Sequence, residues 1–95
     1  MKQPSPQPSK GNVELCKRQL REVAQFQPRR KLQSEARSCV KALDRKRQMK
    51  LRPWVIRKRR TLVKSLDKAP SEQTVRWLVV LEATLDAIDA LEKAD

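Results

Sequence analysis

The chain has 95 residues, of which 23 are Lys or Arg and 11 are Asp or Glu, so its net charge is +12. A chain of this length buries one modest core, and its excess positive charge opposes compaction unless an anionic partner neutralises it. The absence of His and the presence of only two Cys exclude a usual four-ligand structural zinc site, and we predict neither a metal nor a cofactor.

The composition favours helices over strands. One glycine in 95 residues and few β-branched runs argue against sheets and hairpins, whose turns need glycine. No apolar run approaches 18 residues and no signal-peptide pattern opens the chain, so we expect no membrane association. We predict an all-α fold, a helical hairpin or small helical bundle that pairs into a dimeric four-helix-type bundle.

The order of segments follows from proline, serine and capping residues. Pro, Ser and Gln dominate residues 1–11, which predicts a disordered leader before a single helical domain over 12–95. Asn12 is a suitable N-cap, and Pro28 suits the first position of a second helix. The predicted helices cover about 12–26, 28–52, 53–68 and 72–93.

The predicted helix over 28–52 separates apolar from basic residues. At 100° per residue, one arc of about 60° holds Leu32, Ala36, Cys39 and Leu43. An opposite arc of about 80° holds Arg30, Arg37, Lys41, Arg45 and Arg52. Only Glu35 and Asp44 are acidic in this segment, too few for the i,i+4 pairs of an ordinary solvated face. The pattern therefore favours a binding surface for a polyanion.

Pro53 interrupts the helical hydrogen bonds, either by starting a third helix or by kinking the second. After it, a second basic stripe recurs at helical spacing and consists of Arg57, Arg60, Lys64 and Lys68. In the last helix Trp77, Leu81 and Leu85 form an apolar face. Residues 1–71 hold 21 basic and 5 acidic side chains, whereas residues 72–95 hold 2 and 6. We expect this acidic helix to pack as core, to pair with a second copy, or to cover part of the basic surface.

Catalysis is poorly supported, because the chain has no His, no Tyr and no glycine-rich phosphate loop. We therefore expect a non-enzymatic protein. The three aromatic residues Phe26, Trp54 and Trp77 all fall at positions that core packing explains, which disfavours base stacking on single strands. Basic helices that lie along phosphates need no aromatics, and the hidden base edges of A-form RNA suit such binding. Duplex RNA is the favoured partner and duplex DNA is less favoured.

Three fragments resemble a known family. "RRKLQSEARSCVKA" at 29–42 is similar to the start of the long second helix of the small nodavirus suppressors of RNA silencing. "KLRPWVI" at 50–56 and "DKAPSE" at 67–72 resemble the turn and the boundary that follow it. Together the fragments span about 45 residues and align only with small gaps. The long acidic last helix departs from the family, whose third helix is short.

The resemblance implies a dimeric four-helix bundle that lies along double-stranded RNA and shields it from Dicer-type cleavage. Arg29, Arg30 and Cys39 match the family pattern. The family's further arginine has no exact counterpart, and Arg45 and Arg47 are the nearest residues. A viral protein of this kind would act in the host cytoplasm.

The predicted assignments are therefore as follows. For nucleic-acid binding we predict Arg30, Arg37, Lys41, Arg45, Arg47, Lys50, Arg52, Arg57, Arg60 and Lys64. For the core or a dimer seam we predict Leu32, Ala36, Cys39, Leu43, Trp77, Leu81 and Leu85. Two alternatives stay open: a helical interaction module that docks an acidic protein, and a nuclear DNA-binding factor, since "RKRR" at 57–60 can act as a nuclear import signal.

Overall fold

A computed structural model describes residues 12–94 of the chain, and it describes side chains for residues 12–90. Within this range it consists of α1 (Val13–Phe26), a 3-10 turn (Arg29–Lys31), α2 (Leu32–Lys41), α3 (Arg45–Lys68) and α4 (Glu72–Ala94). No described residue belongs to a strand. The predicted all-α helical bundle is confirmed, whereas the predicted leader over 1–11 lies outside the described residues.

The first helix is closed at each end by hydrogen bonds to groups outside it. At its start, the Asn12 side-chain oxygen accepts a hydrogen bond of 2.7 Å from the backbone N–H of Leu15. At its end, Arg76 of α4 donates to the carbonyl oxygens of Ala24 (2.8 Å) and Gln27. These carbonyls have no partner within α1, so a side chain from the last helix fixes the end of the first.

The predicted continuous helix over 28–52 is wrong, because the chain turns between Lys41 and Arg45. Asp44 starts α3 as an N-cap, and its side chain accepts a 2.8 Å hydrogen bond from the backbone N–H of Arg47. The buried Gln48 amide donates to the carbonyl oxygens of Val40 and Leu43, at 3.0 Å each. These bonds satisfy the end of α2 and the start of α3, so the local caps override the continuous apolar periodicity.

The predicted helix boundary at Pro53 is also wrong, since α3 runs through this proline for 24 residues. A proline inside a helix removes one hydrogen bond and costs about 3 kcal/mol. Leu51 and Val55 on either side of it are fully buried, and burial of side chains of this size contributes about 2 kcal/mol each. Packing against the core therefore offsets the penalty, and Pro53 itself lies on the exposed face.

The central element is α4, which packs against α1, α2 and α3. It is buried around most of its circumference, through Trp77, Val80, Leu81, Ala83, Thr84, Leu85, Ala87 and Ile88. Of the residues predicted for the core or a dimer seam, Cys39 is half-buried and the other six are buried within the single chain: Leu32, Ala36, Leu43, Trp77, Leu81 and Leu85. The apolar seam is thus closed without a second copy. Within the described residues, no helix is long and apolar enough to cross a membrane.

Candidate nucleic-acid interface

Most basic residues of α3 belong to an inner or an outer set, and Arg47 and Lys58 belong to neither. The inner set, Arg45, Arg52 and Arg59, recurs every seven residues along the side that faces α4. Arg52 pairs with Asp89 (Nε to Oδ1, 3.1 Å) and Arg59 pairs with Glu82 (3.2 Å). Arg45 donates a 3.2 Å hydrogen bond to the main-chain carbonyl of Ile88. These three arginines therefore join α3 to α4, and the pairing shows that the two helices run antiparallel.

The outer set points away from the bundle, and we call it the outer basic row. At 100° per residue its members fall within about 80° of arc, opposite the buried Leu51 and Val55. At 1.5 Å per residue the row is about 33 Å long. All its members are exposed: Lys46, Lys50, Arg57, Arg60, Lys64 and Lys68.

The six cations of the outer basic row form no direct ion pair, although Lys46 helps to lower the pKa of Asp44 through a longer-range electrostatic interaction. Among the described side chains, no carboxylate oxygen lies within 4.0 Å of any of its six charged groups. Arg47, by contrast, forms an ion pair with Asp44, and the backbone hydrogen bond from Arg47 is the main reason why the pKa of Asp44 is lowered. Six like charges on one helix face repel one another, and an anionic ligand would relieve that repulsion.

The predicted cations on and before α2 form a different surface. Arg30, Arg37 and Lys41 are exposed. Arg37 and Lys41 line a groove of about 280 Å³ between α2 and α4, together with Asp86, Ala87 and Ala90. This groove lies on the α4 side of the bundle, whereas the outer basic row points away from α4. The expectation of a single basic stripe from Arg30 to Arg52 is therefore wrong, because the turn before α3 separates its two halves.

The structure changes the set of candidate contacts. Lys50, Arg57, Arg60 and Lys64 lie together in the outer basic row, as the sequence suggests for the last three. Arg45 and Arg52 face α4, and Arg47 is paired with Asp44, so these three are poor contacts for a ligand. Sequence analysis placed Lys68 in the second basic stripe without naming it as a binding residue, and it missed Lys46. A single helix counted from the N-cap Asp44 would have placed both on the outer face.

Two of the three aromatic side chains are engaged inside the protein. Trp54 and Trp77 make an edge-to-face contact with ring centroids 6.3 Å apart. The Lys17 ammonium lies 5.3 Å from the Trp54 ring, and the Lys58 ammonium lies 5.6 Å from the Trp77 ring. Phe26 differs, since 76% of its surface is exposed at the end of α1. The expectation that core packing explains Phe26 is therefore wrong.

The two cysteines lie close together between α1 and α2. Cys16 is buried, and its Sγ lies 3.8 Å from the carbonyl oxygen of Cys39. Burial is the main cause that raises the pKa of Cys16 to about 12 and also raises the pKa of Cys39. A raised pKa keeps both thiols protonated and poorly nucleophilic at neutral pH. Within residues 12–90, no cluster of His, Cys, Asp or Glu could hold a metal ion.

In comparisons with known proteins, no family model, no curated protein and no solved structure matches the chain.

Proposed function

We propose that this protein binds double-stranded RNA through the outer basic row without reading the base sequence. The observation that carries the proposal is the row itself: six exposed cations on one helix face, with no described carboxylate within 4.0 Å. Surface cations of a solvated helix are usually interspersed with acids, whereas here the paired arginines face α4 and the unpaired cations face outward.

The dimensions and chemistry of the row favour a duplex. Its length of about 33 Å is close to one turn of a double helix, which is about 34 Å in B-DNA. The row consists of Lys and Arg alone, whose charges attract the phosphates of any sequence, so we expect binding that does not depend on sequence. An A-form duplex suits such contacts because its deep major groove hides the bases. The resemblance to the nodavirus suppressors of RNA silencing also favours RNA as the ligand.

Two further properties belong to the proposal. Coating of duplex RNA by the protein would shield it from Dicer-type nucleases, and the protein would suppress RNA silencing. It would also act as a homodimer. Since the predicted seam is buried within one chain, pairing would use other apolar residues, and α3 offers the exposed Met49 and Val63, with the half-buried Ile56 midway between them at seven-residue spacing. This spacing is symmetric about Ile56, so a two-fold axis there would bring Met49 of one copy to Val63 of the other.

A gel-shift competition tests the proposed ligand. A labelled RNA duplex of ~25 bp is bound at near-physiological salt and challenged with unlabelled duplex RNA, duplex DNA and single strands. We expect duplex RNA of any sequence to compete best. Equal competition by all polyanions would mean that the outer basic row binds any polyanion without selecting duplex RNA. Failure of every nucleic acid to bind would favour an acidic protein as the partner of the row.

A further inference from the structure

Phe26 is the most exposed large apolar side chain among the described residues, with 76% of its surface accessible. It lies in the last turn of α1, directly before the 3-10 turn that leads into α2. An exposed aromatic ring does not stabilise the fold, since little of its surface leaves water when the chain folds. The ring is therefore available to a ligand, and its flat face is the natural platform for another planar group.

Phe26 forms one wall of a groove of about 470 Å³ between α1 and α2. This volume lies within the range of small-molecule sites in proteins. The other walls carry side chains with hydrogen-bond donors or acceptors, namely Gln19, Glu22, Gln27, Glu35 and Ser38. No lysine or arginine is among the residues that line the groove. The groove therefore suits an uncharged planar group with hydrogen-bond donors rather than a phosphate.

Cations that could hold a phosphate stand next to the groove rather than in it. Arg29, Arg30 and Lys31 form the 3-10 turn that follows Phe26, and all three are exposed. None of them has an ion pair with a described carboxylate. A nucleotide combines a planar base with an attached phosphate. We call Phe26 and the 3-10 turn together the corner: the aromatic ring can hold the base, and the cationic turn can hold the phosphate.

The corner lies at the same end of the bundle as the C-terminal end of the outer basic row. Arg76 in the first half of α4 contacts the end of α1 through Ala24 and Gln27. Because α3 runs antiparallel to α4, with Arg59 opposite Glu82, the start of α4 also lies beside the end of α3. Lys68 and Phe26 are thus at one end of the molecule, where a duplex lying along α3 would end.

We propose that the groove between α1 and α2 binds one unpaired nucleobase that extends from the end of an RNA duplex. Phe26 stacks on the face of the base, Arg29 and Arg30 contact its phosphate, and the groove side chains bond its Watson–Crick edge. The proposal rests on the proposed duplex binding and adds recognition of unpaired ends to it. Stacking on aromatic side chains together with contacts to this edge is how proteins recognise unpaired RNA bases.

The groove also predicts which base is preferred. Glu22 and Glu35 are hydrogen-bond acceptors, and a carboxylate suits a base with two neighbouring donors on its Watson–Crick edge. Guanine presents such a pair in its N1–H and its N2 amino group, whereas uracil presents a single donor between two acceptors. We therefore expect an unpaired guanine to bind more tightly than an unpaired uracil.

Affinity measurements with matched duplexes test the site. One RNA duplex of fixed sequence is prepared blunt, with an unpaired G at each end, and with an unpaired U at each end. We expect the unpaired G to tighten binding by roughly tenfold over the blunt duplex, the low end of the effect of stacking one base. Phe26→Ala should abolish this gain and leave blunt-duplex affinity unchanged, and Phe26→Trp should retain it. Leu15→Ala, at the other exposed apolar residue of α1, is the control that should keep the gain.

A second readout does not depend on duplex binding. Phe26 is the single phenylalanine of the chain, so fluorophenylalanine labelling gives one fluorine NMR signal from the groove. Addition of the dinucleotide GpG should shift this signal and saturate. If the protein does not bind the blunt duplex but GpG still shifts the fluorine signal, only the proposed duplex binding is refuted. Equal affinity for all three duplexes, or an unmoved fluorine signal, would overturn the end-recognition site. A shift produced by an arginine-containing peptide and not by GpG would also overturn it.

Discussion

Removal of three charges from the outer basic row should weaken RNA binding much more than removal of three charges elsewhere. The variant carries Lys50→Gln, Arg57→Gln and Lys64→Gln. All three side chains are exposed and have no ion pair with a described carboxylate, so the fold should be unaffected. Far-ultraviolet circular dichroism should match that of the unmodified protein, and stability in urea should be equal or slightly higher, because fewer like charges repel one another.

The expected magnitude follows from counterion release. Each phosphate that a cation neutralises contributes about −0.9 to the slope of log K against log salt concentration, taking duplex DNA as the guide. Six contacts predict a slope of about −5, and the triple variant should retain roughly half of it. Extrapolated from 1 M salt, three contacts contribute roughly 500-fold in affinity at ~0.1 M.

Fluorescence anisotropy of a labelled RNA duplex, titrated at several salt concentrations, measures both the affinity and the slope. The matched control removes the same charge elsewhere, with Arg18→Gln, Arg37→Gln and Lys41→Gln, all at exposed positions. We expect the control to keep the slope of the unmodified protein. If both triple variants lose the same slope, net charge alone governs binding. If the first variant keeps its full slope, the outer basic row does not contact the phosphates.

Four further predictions concern stability, titration and assembly. Gln48→Ala should destabilise the protein by about 1–3 kcal/mol in urea unfolding, because the carbonyl of Leu43 loses its donor and that of Val40 keeps only the Leu43 N–H; Gln33→Ala, at an exposed glutamine of α2, is the control. Pro53→Ala should stabilise it by up to about 3 kcal/mol and raise the Tm, since the exposed proline removes a hydrogen bond from the interior of a continuous helix; a lower Tm would mean that the proline geometry is required. The pKa of Cys16 is about 12 in the fold and 9 when the chain is unfolded, so its contribution to stability is complete below pH 9. Between pH 9 and about 12 the free energy of unfolding should fall by about 1 kcal/mol per pH unit. The variant Cys16→Ala should lack this decrease, and an equal decrease in both proteins would show that Cys16 is not its cause. Met49→Ser combined with Val63→Ser should convert a dimer into a monomer in sedimentation equilibrium, and a dimer that persists would place the contact elsewhere.

The helical character of the chain could be predicted from the sequence, but one of its turns could not. The starts of α1 and α4 could be predicted from Asn12 and from the Pro-Ser pair before Glu72. The helices begin directly after these residues. The turn before α3 was hidden because Leu43 continues the apolar spacing of α2. Proline at 53 gave the stronger local signal, yet the buried residues around it hold the helix together. Burial depends on the tertiary structure. The sequence pattern alone therefore does not show whether packing or a local cap decides where a helix ends.

The binding surface could be predicted in kind and only partly in detail. A count of Lys and Arg identifies a basic segment, but it does not distinguish Arg52, which pairs with Asp89, from Lys50, which points outward. That distinction depends on where α4 packs. Phe26 is a similar case, because its position at the end of α1 is compatible with burial until the direction of α2 is known. Contacts between helices distant in sequence decided each of these assignments.

The central position of α4 has a consequence for synthesis of the protein. This helix contacts each of the other three and leaves the ribosome after them. Until it emerges, α1, α2 and α3 lack the surface that covers their apolar faces, and the arginines that will pair with Glu82 and Asp89 are unpaired. The nascent chain up to residue 71 then carries 21 basic and 5 acidic side chains next to ribosomal RNA. We therefore expect the bundle to fold after α4 has emerged, and the attraction of the emerging chain to ribosomal RNA to weaken with salt.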